Sequence, residues 1–303
     1  MNEGPLIFDR TLVRARRRRA AALGSADFLL DRVAQDLAER LGAVMRRFEL
    51  AADIGTPGEA LRAALSRLGS VSSILAVDAV HDARTPGVGD IANLIAADEE
   101  ALPFRDASLD LVVSALALQF VNDLPGTLVQ IRRALKPDGL FLAALVGGET
   151  LTELRQAFAA AESDIEGGAS PRVAPFADVR ALGDLLQRAG FALPVADSDR
   201  YTLRYATPFA LMAELRRMGA TNALVARRRT PLRRATLLRM AEIYRERFAD
   251  ADGRVRATFD IVWLSGWAPH PDQQKPLKPG SAQTRLADAL GSQEISAGEK
   301  AAR

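Results

Sequence analysis

Five short apolar runs, separated by stretches of helical spacing, constrain this chain more than any other feature. The runs cover residues 50–55, 73–78, 91–96, 109–114 and 140–146. Helical spacing fills residues 27–47, 59–68 and 124–135, the last stopped by the turn cluster Lys136-Pro137-Asp138-Gly139. Apolar strands that do not alternate are buried on both faces, which is the condition of a parallel sheet covered by helices. The handedness of crossovers then favours an α/β doubly wound sheet. An alternating segment at 255–265 predicts a further strand, antiparallel, between the neighbours contributed by the fifth and sixth strands, for a seven-stranded sheet.

Past Gly148 the texture changes. Residues 150–161 and 176–189 read as helices around a loop at 166–171, residues 192–205 carry a strand, and residues 208–248 read as two basic helices. The expected organisation is a basic N-terminal segment at 1–26, one domain at 27–268 with a helical insertion at about 206–250, and a tail of little fixed structure at 269–303, where Pro, Lys, Gln, Gly and Ser dominate.

Composition removes several chemistries. The 303 residues include no Cys, so disulfides, thiolate metal sites and a Cys nucleophile are excluded. The only His residues are His81 and His270, in distant segments, and no metal site is expected. The formal charge is +2, yet only four of the 40 basic residues are Lys. Six Arg and no acid lie between Arg10 and Ala22, a stretch expected to be a solvated helix face. Twelve Arg against three Glu lie between Arg200 and Arg247. Such patches suit an acidic protein surface or a membrane surface; without interleaved aromatics they do not suit nucleic acid. No apolar stretch nears a membrane span of about 20 residues, and the start lacks a secretory signal. The expected compartment is the cytoplasm, with the inner face of the membrane as an open alternative.

In an open parallel sheet, ligands bind beyond the carboxyl ends of the strands. The loop after the first strand reads Asp53-Ile54-Gly55-Thr56-Pro57-Gly58-Glu59. Gly55 permits a tight turn, and a helix starting near Gly58 offers free N–H groups to an anion. Asp78 ends the second strand, where an acid can accept from both ribose hydroxyls. Asp98, after the third, is placed for an adenine amino group, with Glu99 beside it. Plainer roles compete: Asp53, Asp78, Asn122 and Asp123 are all helix-capping types, and Trp263 and Trp267 suit a core. Gln119, after the fourth strand, is a candidate to face substrate.

The order strand-Asp-x-Gly, strand-Asp, Asp98-Glu99-Glu100-Ala101-Leu102-Pro103-Phe104, Asp110-Leu111-Val112-Val113-Ser114 and Leu135-Lys136-Pro137-Asp138-Gly139 resembles the class I S-adenosylmethionine-dependent methyltransferases. More specific pieces run along nearly the whole chain. They include Ile7-Phe8-Asp9-Arg10, Val121-Asn122-Asp123-Leu124-Pro125, Gly147-Gly148-Glu149-Thr150-Leu151, Glu166-Gly167-Gly168-Ala169-Ser170-Pro171, Met218-Gly219, Asn222, Ala257-Thr258-Phe259 and Gly266-Trp267 with His270. These resemble the methyltransferase-like complex I assembly factor family of mitochondria and alphaproteobacteria. The resemblance implies a Rossmann-like methyltransferase fold and a protein substrate, an iron–sulfur subunit of respiratory complex I that is hydroxylated on arginine. It implies S-adenosylmethionine as cofactor, held by Asp53, Gly55, Gly58, Asp78, Asp98 and Glu99. Gln119, Asn122 and His270 are the catalytic candidates it leaves.

The first loop departs from the family's glycine-rich pattern, with Pro57 and Glu59 where glycines are usual. Pro57 has no N–H to donate, and Glu59 adds a carboxylate where the cofactor's own would lie. Both predict weakened cofactor binding. Two other functions stay open: a methyltransferase acting on a small molecule or acyl carboxylate, and a non-catalytic assembly factor with a degenerate loop.

Overall fold

A computed structural model describes residues 6–80, 93–273, 281 and 284–293. The chain divides into two compact units, Met1–Pro269 and His270–Arg303. The second carries the short helix Leu286–Leu290. In the first, α1 (Arg10–Leu23) and α2 (Phe28–Gly42) precede β1 (Phe48–Ile54), α3 (Ala60–Leu68), β2 (Val71–Val77), β3 (Leu94–Ile95) and β4 (Leu109–Ala115). A 3-10 turn at Leu118–Phe120 leads to α4 (Leu124–Ala134) and β5 (Leu135–Val146). Then follow α5 (Thr152–Glu166), α6 (Val179–Arg188), β6 (Ala192–Tyr205), α7 (Pro208–Arg217), α8 (Arg234–Phe248) and β7 (Val255–Trp267).

The sheet order is β3-β2-β1-β4-β5-β7-β6. β1 runs parallel to β2 and β4, and β4 to β5, whereas β7 is antiparallel to both β5 and β6. The expected seven-stranded doubly wound sheet, with its last strand between β5 and β6, is therefore what forms. Two helices, α7 and α8, separate β6 from β7. Of the expected third strand, residues 91 and 92 lie outside the described residues, as does His81.

Because side chains alternate across a strand, the central strands feed two cores. Leu111 and Val113 of β4 pack with Leu140, Leu142 and Trp263 on the α2, α3, α5 and α8 side. Val112, Phe141 and Val262 pack with Leu128, Ile131, Leu182 and Leu186 of α4 and α6 on the other. Trp263 is thus a core residue. The turn cluster after α4 behaves differently from expectation. Leu109 pairs with Leu135 and Leu111 with Leu140, so residues 136–139 bulge out within β5, with Asp138 at φ 63°. Pairing resumes because β4 continues past the bulge.

Local signals set the helix ends. Asp9, Asp123, Asp178 and Thr207 each accept from a backbone N–H in the first turn of α1, α4, α6 and α7. Asp123 is therefore the cap of α4, and Asn122 is left for another contact.

Candidate functional site

Strand order reverses between β1 and β4, which opens a crevice at their carboxyl ends. Gly55 follows β1 at φ 71°. A Cβ there would lie 2.9 Å from the Glu99 side chain and 3.1 Å from that of Ala117, so the turn demands glycine. Two bonds lock the crevice floor. Ser114 Oγ donates to the Ile54 carbonyl at 2.7 Å, and the Ala115 N–H donates to Thr56 Oγ1 at 2.8 Å. Gly58, at φ 65°, faces open space.

Asp53, at the end of β1, is fully buried on its side chain and does not cap a helix. Burial raises its carboxyl to about 6, against the opposing pull of Arg62. Arg62 Nη1 donates to Asp53 Oδ2 at 2.6 Å, and its other nitrogens hold Glu59 at 2.6 and 3.1 Å. The extra carboxylate at the start of α3 is thus matched by a cation one turn on, a partner the sequence reading did not anticipate.

Asp78 ends β2 as expected. Its Oδ1 accepts from the Val80 N–H at 2.8 Å, and its Oδ2 accepts from Arg17 Nη2 at 3.1 Å. Asp98 and Glu99 follow β3 and are also engaged by arginines. Arg10 Nη2 donates to Asp98 at 2.6 Å and to Glu99, Arg14 donates to Asp98, and Arg17 Nη1 reaches Glu99 at 3.4 Å. Burial alone would raise the Asp98 carboxyl, but the Glu100 N–H and the Arg10 and Arg14 guanidiniums outweigh it and hold it below its ordinary value.

These contacts correct one expectation. The Arg-rich segment near the N-terminus is only in part a solvated face: Arg18 and Arg19 are exposed, whereas Arg10, Arg14 and Arg17, at i, i+4 and i+7 on α1, point into the crevice. The spacing was visible in the sequence. Its partners were not, since they lie more than 60 residues away.

Asn122 also has a role other than the capping one. Its Oδ1 accepts from the Ile7 and Phe8 N–H groups at 2.9 and 2.7 Å, and its Nδ2 donates to the Phe8 carbonyl at 3.1 Å. It fastens the extended segment at Ile7 and Phe8, just before α1, beside the cleft. Gln119 donates through Nε2 to the Leu116 carbonyl at 2.7 Å, while its Oε1 is buried with no partner among the described residues. His270 lies in the second unit, where its Nδ1 accepts from the Asp272 N–H. In the basic insertion, Arg227 pairs with Asp9 and Arg228 with Glu166, both at 3.1 Å, so two arginines of the run Arg227-Arg228-Arg229 are spent internally.

The crevice opens into a cleft of about 1410 Å³ whose walls include Arg17, Pro57, Gly58, Asp78, Gln119 and Phe259. The residues present fit a nucleoside cofactor of the S-adenosylmethionine type. Asp78, just past β2, is a carboxylate of the kind that accepts from a ribose diol, Gly55 and Gly58 take positive φ ahead of α3, and the cleft has room, provided Arg17 gives way.

The model of a methyltransferase domain matches residues 52–143. The mitochondrial arginine-hydroxylase NDUFAF5 of Danio rerio is 39% identical over 94% of this chain and 90% of its own length. This chain belongs to the arginine-hydroxylase NDUFAF5 family. The Homo sapiens member is 40% identical over 93% of this chain and 83% of its own. Beyond this hydroxylase family, the malonyl-[acyl-carrier protein] O-methyltransferase of Xylella fastidiosa is 42% identical, over 58% of this chain and 57% of its own. Among solved structures, the YcgJ protein of Bacillus subtilis covers 77% of this chain and 98% of its own with a TM-score of 0.51 at 16% identity, a likeness of fold. Among the described residues, no helix is long and apolar enough to cross a membrane.

Proposed function

We propose that this chain hydroxylates an arginine side chain of a protein substrate. The observation that carries the reading is the extent of similarity. The hydroxylase relatives match over 94% of the chain, whereas a carboxyl methyltransferase relative matches over 58%. The family resemblance in the sequence points to an iron–sulfur subunit of respiratory complex I as that substrate.

In this reading Asp53, Gly55, Gly58, Asp78, Asp98 and Glu99 form the cofactor side of the cleft. S-adenosylmethionine, when bound there, supplies an electrophilic methyl group and a sulfonium charge. Gln119 serves the substrate side. Its Nε2 is fixed by the Leu116 carbonyl, which leaves Oε1 as a buried acceptor at the strand reversal. A guanidinium presents five donors and no acceptor, so an orphaned amide oxygen is a suitable partner for one of them. Asn122 positions the segment at Ile7 and Phe8 beside it, and His270 is left without an assigned step. Hydroxylating a C–H bond removes two electrons from it, so the cleft must admit an oxidant together with the substrate.

Methyl transfer is the second reading, favoured by the methyltransferase-domain match over residues 52–143. The deciding experiment is mass spectrometry of the recombinant complex I iron–sulfur subunit co-expressed with this chain. Gain of one oxygen on a single arginine, lost with Gln119→Leu, is expected. Gain of a methyl group instead overturns hydroxylation, and an unmodified subunit that still co-purifies makes the chain a non-catalytic assembly factor.

A further inference from the structure

The carboxylates that a nucleoside would need are not free in the folded chain. Asp78 has both oxygens engaged, Oδ1 by Val80 and Oδ2 by Arg17. Arg17 also donates to the Gly55 carbonyl at 2.9 Å, across the turn where the nucleoside would lie. Asp98 is held by Arg10 and Arg14, and Glu99 by Arg10 and Arg17. The side chains of Arg10 and Arg17 are 15% and 14% exposed, so these are enclosed contacts rather than solvent-screened surface pairs.

Three arginines from one helix therefore stand in for the donors a nucleoside brings: the ribose hydroxyls at Asp78 and the adenine amino group at Asp98. Charge-assisted bonds of this kind are stronger than neutral ones. Each carboxylate oxygen can accept more than one bond, so the obstacle is space: the Arg17 guanidinium, bound to both Asp78 Oδ2 and the Gly55 carbonyl, fills the gap between them that a ribose would have to enter.

The cleft-facing side of α1 is a row of ion pairs, and among its residues only Val13 and Ala20 are buried. The start of the helix is tied by the short antiparallel pairing of Phe8 with Leu224, the bonds from Asn122, and the edge contact between Phe8 and Phe120. Its far end is tied by Arg19 to Thr221 Oγ1 at 3.4 Å and by Arg217, which donates to the Gly24 and Ser25 carbonyls at 2.8 and 3.3 Å. With both ends of α1 fastened, the group that can leave the cleft is the Arg17 side chain, which reaches the carboxylates through its own rotatable bonds.

We propose that α1 and the nucleoside compete for one set of carboxylates, so that the Arg17 side chain releases Asp78 when the nucleoside enters and α1 loosens with the loss of that tie. The proposal rests on the nucleoside reading of the cleft given above. It makes α1 an intramolecular occupant that lowers affinity, and it provides a source of weak binding independent of Pro57 and Glu59.

The test uses the full chain with S-adenosylhomocysteine as probe, by titration calorimetry and by hydrogen exchange over residues 10–23. In the native protein, exchange at the C-terminal half of α1 is expected to rise as the probe saturates. Arg17→Ala is expected to bind the probe roughly tenfold more tightly, the equivalent of one charge-assisted hydrogen bond removed from the competing state. Weaker binding by Arg17→Ala, or probe binding that slows exchange in α1, overturns the proposal and makes Arg17 a cofactor ligand. Unchanged affinity with unchanged exchange overturns the competition alone. If neither protein binds the probe, the nucleoside reading falls and the competition with it. Should Arg17→Ala fail to fold, the exchange of the native chain decides.

Discussion

Arg62 Nη1 donates over 2.6 Å to Asp53 Oδ2, joining a half-buried guanidinium to a carboxylate with no exposure at all. Removing one partner of such a pair leaves the other buried and uncompensated, at a cost of about 3–5 kcal/mol. Arg62→Ala is therefore expected to be strongly destabilising near neutral pH in denaturant titration. At pH 5 the loss shrinks, because Asp53 can then take up a proton instead of remaining a buried anion. A loss equal at both pH values would contradict this account.

The same carboxyl sets a slope of stability against pH. Its folded value, about 6, stands above the ordinary 3.8. Between those values the native state binds more protons than the unfolded one, so this group's contribution falls as pH rises from about 4 to 6. Asp53→Asn removes the titration. The difference in unfolding free energy between Asp53→Asn and the native chain should shift in favour of the variant as pH rises through that window, and a difference that stays flat would count against it.

Glu162 should act in the opposite direction. It has no exposure and accepts from the Ser170 N–H at 2.6 Å, from Ser170 Oγ at 2.8 Å and from Arg172 Nε at 2.8 Å. Burial alone would raise its carboxyl, but these donors hold it below the ordinary value. Its stabilisation is present above about pH 4.5 and is lost on acidification through the lower folded value. Glu162→Gln is expected to lower the melting temperature at pH 7 and to unfold with a shallower acid limb than the native chain.

The basic insertion divides into structural and free arginines. Arg228 holds Glu166, which is 6% exposed, whereas Arg229 is exposed. Arg228→Ser should lower the melting temperature, less than a lone pair would because Thr236 and Arg233 still hold Glu166, and Arg229→Ser should be near neutral. Pull-down of an acidic partner is therefore probed with Arg229→Ser, since a loss seen with Arg228→Ser mixes folding with recognition. Equal melting temperatures for the two variants would refute the division.

Two glycines are fixed by packing. A Cβ on Gly266 would come within 2.9 Å of the Phe191 Cβ, and one on Gly147 within 2.7 Å of Val262. Gly266→Ala and Gly147→Ala are each expected to cost about 1–3 kcal/mol by crowding the sheet. A shift in denaturant midpoint at constant slope measures it. Gly168→Ala, with open space around it, serves as the neutral comparison.

Much of the fold was legible because its causes are local. Unalternating apolar runs separated by helical spacing can only be buried on both faces, which yields the doubly wound sheet. Asp123, Asp178 and Thr207 announce their helices by capping them. The bulge at 136–139 was hidden, since a Pro-Asp-Gly cluster signals a turn whether or not a neighbouring strand carries pairing past it.

The candidate site was legible only in outline. Gly55, Asp53 and Asp78 follow from their places at strand ends, where strand direction and reach dictate a crevice. What these side chains touch was decided by tertiary structure. Six arginines without an intervening acid suggest a solvated face, because the sequence shows no nearby anion to receive them. Folding brings Asp78, Asp98 and Glu99 from across the chain to Arg10, Arg14 and Arg17, and an ion pair in an enclosed cleft is worth forming where the same pair on a surface is not. Periodicity along the chain thus determined the sheet and the place of the crevice, and which charges fill it followed from long-range packing that no local pattern encodes.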